Sequence, residues 1–463
     1  MTTESYGRTE SAPNVAAARP HLFVAMTCTA PGEGASRHLL EGVDDVRLGR
    51  SAVRGSRRTA ANGRESLSLE IVDGHMSSAH ARLSRTSDGW ALEDLDSKNG
   101  TFVNGRAVRD TKLADGDKIR IGSTLFLFRE RLLTPRPSSP DVFAKGQAPA
   151  FATLLPTLAR EFDALARIAA TEIPILLLSE TGTGKELVAR AIHTLSGRTG
   201  AFVPINCGAL PQTLAESALF GHKRGAFSGA TSDSVGLLRS AEDGTLLLDE
   251  IGDFPQMLQP TLLRTLQDGE VMPVGASAPT RLRARFIAAT HVDLERRAST
   301  GAFREDLFAR LAGYVFRLPP LRERREDIGL LTCTLLQKLA DRDGRVPILS
   351  VEAGERLLEH DWPRNVRELE KALARAAVLA GEGPIEPEHL PAEVQAAAGR
   401  SISARERGVD AMPRGRERLV ALLTEHRGNL QAVADAMRTS RSQVHRLIRR
   451  LDLDVTTYRL PRG

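Results

Sequence analysis

The sequence holds only three cysteines in 463 residues, Cys28, Cys207 and Cys333, and they are widely scattered. That spacing fits neither a metal site nor a paired disulfide framework, so reduced thiols in a cytoplasmic protein are expected. No apolar run approaches the eighteen or so residues that a membrane span needs, which excludes a helical membrane protein. The start, MTTESYGRTESAPN, lacks the basic-then-apolar order of a secretory signal. Charge of one sign is scarce except at one end. The formal net charge is +5, and residues 414–463 alone carry eleven arginines against five acids. The rest is near neutral, and the basic end points to a nucleic-acid contact. A chain of this length has room for about three domains.

What is present centres on residues 175–186, ILLLSETGTGKE. A short apolar run that ends at a glycine turn reads as a buried parallel strand. Thr181, Gly182, Thr183 and Gly184 make the turn, and Lys185 opens an amphipathic helix. Backbone amides and a lysine at a helix start form a cradle for phosphates. Ser179 stands where the general pattern has its first glycine, and Glu186 where a Ser or Thr would hold magnesium. Residues 244–250, GTLLLDE, form a second apolar strand that ends in Asp249 and Glu250. Such a pair suits nucleotide hydrolysis, with Asp249 holding Mg²⁺ through water and Glu250 polarising the attacking water.

Residues 1 to about 18 are small and polar, and disorder is expected there. From His21 to Arg129 the apolar residues alternate, as in LSLEIV (67–72), WALEDL (90–95) and TLFLF (124–128). Short alternating runs between turns such as Asn99-Gly100 and Asp115-Gly116 predict an all-β sandwich. Within it Leu48-Gly49-Arg50, Ser77 to His80, Ser97 to Thr101, Val103-Asn104-Gly105 and Asp115-Gly116-Asp117 occur in that order. Together they resemble the forkhead-associated (FHA) domain over residues 20–132. The resemblance implies binding of a phosphothreonine-containing protein, with Arg50 on the phosphate and Ser77, Lys98 and Asn99 on the peptide. It makes His80 a structural side chain behind the loop. Residues 51–64 are longer and more basic than the usual connection, and Lys98 replaces a common Ser or Thr. An FHA fold that serves only for packing stays open. Residues 133–150, rich in Pro, Ser and Ala, read as a linker.

The chain then resembles the AAA+ activators of sigma-54 RNA polymerase over residues 151–395, an α/β part (151–320) followed by a helical lid (321–395). GAFSGA at 225–230 matches the family's signature loop, which implies a sigma-54 contact through Gly225, Ala226, Phe227, Ser228, Gly229 and Ala230. Residues Ser179, Glu180, Thr181, Gly182, Thr183, Gly184, Lys185 and Glu186 match its ATP-binding loop, where Glu186 is usual and Ser179 departs. Asn206 matches the residue that holds the catalytic glutamate until the loop engages. Arg304 and Arg310 match the fingers that act across a ring interface, and Arg367 in WPRNVREL (362–369) matches the nucleotide sensor. His291, where many relatives have Asn, stays undecided between a structural and a functional role. The cofactors implied are ATP and Mg²⁺.

A second linker is expected at 396–413. Residues 414–463 read as two helices, a short turn at Arg438-Thr439-Ser440 and a basic helix, a helix-turn-helix of the Fis type by resemblance. Arg441, Ser442, Gln443, His445, Arg446 and Arg449 would face upstream promoter DNA. The whole predicts a multidomain protein: an all-β FHA sandwich, an α/β P-loop ATPase with a lid, and an all-α module. The function that the resemblance implies is a transcription activator that assembles into a ring, a hexamer in its relatives' manner. A remodeller of another complex, and a scaffold with an inactive ATPase site, stay open.

Overall fold

The alternating first third folds as two packed sheets. The computed structural model describes residues 16–144, 151–210, 214–396, 422–424, 426, 429–436 and 444. Its strands begin with β1 (Ala17–Thr27), β2 (Ala35–Leu39), β3 (Val43–Arg50), β4 (Gly55–Ala61), β5 (Arg64–Ile71) and β6 (Ala81–Thr86). Next come β7 (Gly89–Asp94), β8 (Thr101–Val103), β9 (Arg106–Val108), β10 (Asp110–Leu113), β11 (Lys118–Ile121), β12 (Thr124–Thr134) and β13 (Asp141–Ala144). One sheet has the order β13-β2-β1-β12-β11-β8-β9, the other β10-β7-β6-β3-β5-β4. The two-residue period turns Leu22, Val24, Ile119, Phe126 and Phe128 inward, against Leu48, Leu67, Leu83, Trp90 and Leu92 of the facing sheet.

Two expectations meet a different structure here, and a third segment gains a strand. Ala17 and Ala18 already pair with Thr134 and Leu133, so the first strand starts inside the stretch read as disordered. The long basic segment 51–64 supplies β4, an edge strand antiparallel to β5. Of the expected linker 133–150, residues 133–144 are structured: β12 runs to Thr134, and β13 adds to the sheet beside β2. Composition missed β13 because its anchors are remote. Asp141 accepts from His38 Nδ1 at 2.6 Å and from Arg58 Nε at 2.7 Å.

In the α/β part the near-continuous apolar runs become strands buried on both faces. They are β14 (Ile175–Leu178), β15 (Phe202–Asn206), β16 (Thr245–Asp249), a small hairpin of β17 (Glu270–Val271) and β18 (Thr280–Arg281), β19 (Arg285–Thr290) and β20 (Tyr314–Arg317). The main sheet has the parallel order β15-β16-β19-β14-β20. Around it lie α1 (Pro156–Ala169), α2 (Lys185–Leu195), α3 (Ala215–Phe220), α4 (Gln259–Asp268), α5 (Leu294–Ser299) and α6 (Glu305–Leu311). The lid consists of α7 (Ile328–Lys338), α8 (Val351–Glu359), α9 (Asn365–Ala380) and α10 (Ala392–Gln395). Trp362 is fully buried among them and donates its indole N–H to the Leu357 carbonyl at 2.9 Å.

The sandwich does not stand apart from the lid. Ala25, Met26, Cys28 and Leu125, on the larger sheet, share one core with Ile328, Leu336, Leu357 and Trp362. Each Met, Leu or Ile among them stabilises by about 1.5–3 kcal/mol on full burial. At the edge of this core the Asp327 carboxylate accepts from Thr153 Oγ1 and from the Leu154 amide, both at 2.7 Å. Burial pushes its pKa up to about 6, against the pull of Arg324 and of those hydrogen bonds. The folded value lies above the ordinary 3.8, so stability from this group is complete below about pH 4 and is lost as pH rises through 6. Wild type is therefore expected to lose on the order of 3 kcal/mol relative to Asp327→Asn between pH 4 and pH 7. Urea midpoints of the two proteins at both pH values measure this; a gap that does not change with pH contradicts it.

Contacts divide the chain into Met1–Gly399 and Arg400–Gly463. In the second unit Leu430–Ala436 is helical, and the Asn429 side chain caps it by accepting from the Gln431 and Ala432 amides. Leu423, Val433 and Val444 are buried. The six residues read as a DNA-binding face, Arg441, Ser442, Gln443, His445, Arg446 and Arg449, lie outside the described residues. Among the described residues no helix is long and apolar enough to cross a membrane.

Candidate nucleotide site and its neighbouring loops

The sheet gathers the candidate site at the carboxyl ends of its strands, where parallel α/β sheets bind ligands. The loop after β14 leads into α2, whose N-cap is Gly184 at φ 106° with no side-chain cap. Gly182 has φ 80°, and a Cβ there would collide with the Arg364 carbonyl, so the lid closes over a turn that only glycine fits. Ser179 is not among the positive-φ residues and sits in the loop without strain. Its hydroxyl is 2.7 Å from that of Thr183, which in turn donates to the Glu180 carbonyl at 2.8 Å. The serine that departs from the glycine pattern thus ties the loop across its own mouth.

Asp249 ends β16 and Glu250 follows it at φ 51°, so the two carboxylates diverge. Lys185 Nζ lies 3.1 Å from Glu250 Oε1, and His291, just after β19, donates from Nδ1 to Oε2 at 2.6 Å. Burial works against the Glu250 charge, but His291 and Lys185 outweigh it and hold its pKa below the usual carboxylate range. Asp249 goes the other way: burial raises it, Lys185 opposes and the neighbouring Glu250 adds to the rise. The Glu250 amide donates to Asp249 Oδ1 at 3.0 Å. The site therefore joins a cation, a firmly ionised carboxylate and a second carboxylate beside uncapped helix amides.

Asn206 is at the end of β15, next to Asp249 in register, but it does not hold Glu250. Its Oδ1 accepts from the Gly208 and Ala209 amides at 3.0 and 3.2 Å, which caps the turn that follows it. His291 and Lys185 occupy the glutamate instead. Both flanking strands border β16, but the cap fixes the Asn206 side chain on its own turn, whereas His291 beyond β19 brings Nδ1 onto Glu250 Oε2.

From the lid, Arg367 is exposed on α9 and its amide donates to the Gly182 carbonyl at 3.1 Å. Three further contacts were not singled out in the sequence. Arg322 forks onto Glu180 at 2.6 and 2.8 Å, and Arg324 donates to the Thr183 carbonyl at 3.0 Å. Fully buried Asn365, at φ 58°, donates to Glu180 Oε2 and the Thr181 carbonyl. The signal for Asn365 was its place after Trp362-Pro363-Arg364, where a left-handed residue favours Asn. Glu186 pairs with Arg190 one turn along α2 at 2.7 Å.

Arg304 precedes α6 and forms a two-pronged pair with Asp306, whereas Arg310 in α6 donates to the Leu266 carbonyl at 3.0 and 3.1 Å. The 225–230 loop is a closed turn, with the Gly225 amide on the Ala230 carbonyl at 2.8 Å and Gly225 and Gly229 at positive φ. Ser228 is exposed, and the Phe227 ring leans on His222 at 5.0 Å. Lys223 and the Arg224 amide, both at 2.8 Å from Asp233, pin the base of the loop.

In the sandwich Arg50, Lys98 and Asn99 are exposed around Ser77. The Arg50 amide donates to the Ser77 carbonyl, the Lys98 amide to the Ser77 hydroxyl at 3.2 Å, and Asn99 Nδ2 to the His75 carbonyl at 2.7 Å. His80 is buried behind them. Its Nδ1 accepts from the Ser77 amide, so Nε2 carries the proton and donates to the Gly100 carbonyl at 3.2 Å. Burial lowers its pKa and keeps it neutral for that task.

Comparison with known proteins gives these sites a family. Residues 153–317 match the Sigma-54 interaction domain, 322–407 the AAA+ ATPase lid domain and 46–122 the FHA domain. The DNA-binding transcriptional regulator NtrC of Azospirillum brasilense is 40% identical over 331 residues, 65% of this chain and 69% of that protein. The Nif-specific regulatory protein of Azotobacter vinelandii is 48% identical over 231 residues; the match covers 50% of this chain but only 44% of that protein. A crystal structure of NtrX from Brucella abortus in complex with ATP is 31% identical, with a TM-score of 0.48, over 65% of this chain and 69% of that one. By its Sigma-54 interaction domain and its match to NtrC the chain belongs to the family of sigma-54-dependent transcriptional activators.

Proposed function

We propose that the protein is an ATP-driven activator that remodels sigma-54 RNA polymerase and is regulated by phosphothreonine recognition through its FHA domain. The observation that carries this reading is the Lys185–Glu250–His291 constellation at adjoining strand ends, beside the glycine turn at Gly182 and Gly184. ATP phosphates compete with Glu250 for Lys185. Once the lysine turns to the phosphates, Glu250 keeps His291 as a hydrogen-bond partner and is free to orient the attacking water. Asp249 fits a Mg²⁺ that arrives with the nucleotide. Its Oδ1 takes the Glu250 amide, and no group of three or more ligating side chains competes among the described residues. The ion would neutralise charge on the β- and γ-phosphates.

The subunits act as a ring, a hexamer by the family's habit, in which Arg304 and Arg310 reach a neighbour's nucleotide. Arg367 reads nucleotide from the lid. Turnover moves the 225–230 loop against sigma-54, with Phe227 as the apolar contact and Ser228 as its hydroxyl neighbour. Upstream DNA is bound through Arg441, Ser442, Gln443, His445, Arg446 and Arg449. In the sandwich, Arg50 forks onto a phosphate while Asn99 and the Ser77 loop hold the peptide backbone.

The test is open-complex formation on a supercoiled promoter with sigma-54 holoenzyme and ATP. Wild type should open the promoter only with hydrolysable ATP, and Phe227→Ala should abolish opening while it retains at least half of the ATP turnover. Opening by Phe227→Ala at the wild-type level would remove the loop from the mechanism.

A further inference from the structure

Residues 322–327, RERRED, hand successive side chains to different parts of the molecule. Arg322 and Arg324 go to the nucleotide loop, at Glu180 and the Thr183 carbonyl. Arg325 goes to α8, pairing with Asp361 and donating to the Leu358 and Glu359 carbonyls. Glu326 goes to the sandwich, where it pairs with Arg129 of β12. Asp327 goes to Thr153 and Leu154 at the head of the ATPase part, and the Leu154 carbonyl also takes Arg37 of β2 at 2.9 Å. One strap thus touches the nucleotide loop, the lid, the sandwich and the start of the α/β part.

The packing beside the strap is built for that contact. Gly329 in α7 and Gly354 in α8 weaken their helices relative to alanine. The atoms nearest to each are all in the sandwich. A Cβ on Gly329 would collide with the Ala25 carbonyl, and one on Gly354 would lie 2.6 Å from Cys28 Sγ and 3.0 Å from Leu125 Cδ1. At the rim Lys118 pairs with Glu359, and Arg120 lies 3.8 and 3.9 Å from Glu352 and Glu355. The peptide loop connects to the same place. Asn99 donates to the His75 carbonyl, and the His75 amide donates to Asp73. Asp73 also accepts from the Ser123 amide and the Thr124 hydroxyl, both at 2.8 Å. The Ser123 carbonyl takes the Cys28 amide, and the Cys28 carbonyl takes the Leu349 amide of the lid at 3.0 Å.

We infer that the outer face of the larger sheet is a brace clamped to the lid, and that its release from the lid speeds ATP turnover. The inference rests on the ATPase reading given above and adds its regulation. The sandwich holds the α/β part through Arg37 and the lid through Arg129, Lys118 and the shared core. A body fixed to both subdomains opposes the relative rotation by which a lid opens and closes over nucleotide. A phosphopeptide on Asn99 acts by pulling on the His75–Asp73–Ser123 connection and so biases docked against released forms.

Thiol chemistry tests this on the full chain. Cys28 and Cys333 are buried in the shared core, while Cys207 is buried in the ATPase core and reports unfolding instead. In Gly354→Leu, and in the charge-reversed pair Lys118→Glu with Arg120→Glu, Cys28 and Cys333 should react with a thiol reagent at least tenfold faster. Cys207 should stay protected, and ATP turnover should rise severalfold. Exposed Cys28 and Cys333 with unchanged or lower turnover would overturn the inference, as would protection of both thiols in both variants. Should Gly354→Leu expose Cys207, it has unfolded and the charge-reversed variant decides. No turnover in wild type or in either variant would sink the ATPase reading itself, and the restraint with it.

Discussion

Arg310→Ala is expected to lower the ATP turnover of the assembled protein by about 10³–10⁵-fold, the range for a trans-acting arginine in phosphoryl transfer. The two candidate fingers differ in what already holds them. Arg304 is satisfied by Asp306 through two hydrogen bonds, so its charge is compensated within its own chain. Arg310 donates to the Leu266 carbonyl, which positions the guanidinium without neutralising it. An uncompensated cation loses less when it moves to a γ-phosphate, so Arg310→Ala should do far more harm than Arg304→Ala. The measurement is turnover against protein concentration, with and without upstream DNA. Wild-type turnover should rise cooperatively, and mixing Arg310→Ala with Lys185→Ala subunits should restore part of it, because each supplies what the other lacks. Turnover of Arg310→Ala within tenfold of wild type would mean that the arginine has no share in the transition state.

Glu250→Gln should leave nucleotide binding within a fewfold of wild type and slow hydrolysis by about 10²–10⁴-fold, the range for a lost general base. Glutamine keeps the length of the side chain and a carbonyl for His291 Nδ1, but it has no charge with which to accept a proton. The variant also frees Lys185 from its ion pair with Glu250, and binding should if anything tighten. Equilibrium binding of a fluorescent nucleotide and single-turnover hydrolysis separate the two effects. Equal loss of binding and hydrolysis would show that Glu250 holds the loop together rather than acting on water. Because His291 and Lys185 hold Glu250 below the usual carboxylate range in the free protein, the acid limb of kcat/KM should lie lower than for a free carboxylate.

Much of the fold was legible because its signals are local. Two-residue alternation gave the inner face of the sandwich, and short apolar runs before Gly or Asp gave the strands that carry Lys185 and Asp249. The strand β13 was not legible, since Pro and Ser around it describe a linker while its fixing contacts, His38 and Arg58, are some hundred and some eighty residues away. The partner of Glu250 was not legible either. Asn206 and His291 both end strands beside β16, and only the register and the turn after β15 decide which one reaches the carboxylate.

By itself the sequence determined the chemistry on offer: a glycine turn with Lys185, the carboxylate pair Asp249 and Glu250, the exposed loop at 225–230 and the Arg50 and Asn99 loops of the sandwich. Those groups are set by residue type and by spacing within a few positions, which strand and helix periods translate directly into place. Only the tertiary structure decided that the sandwich shares a core with the lid. That contact depends on Gly329 and Gly354 meeting Ala25 and Cys28 across some three hundred residues, and on five of the six charged residues at 322–327 being divided between the nucleotide loop, α8, the sandwich and Thr153. Charged runs and helix glycines carry no address in the sequence. Their partners are chosen by which surfaces the chain buries together.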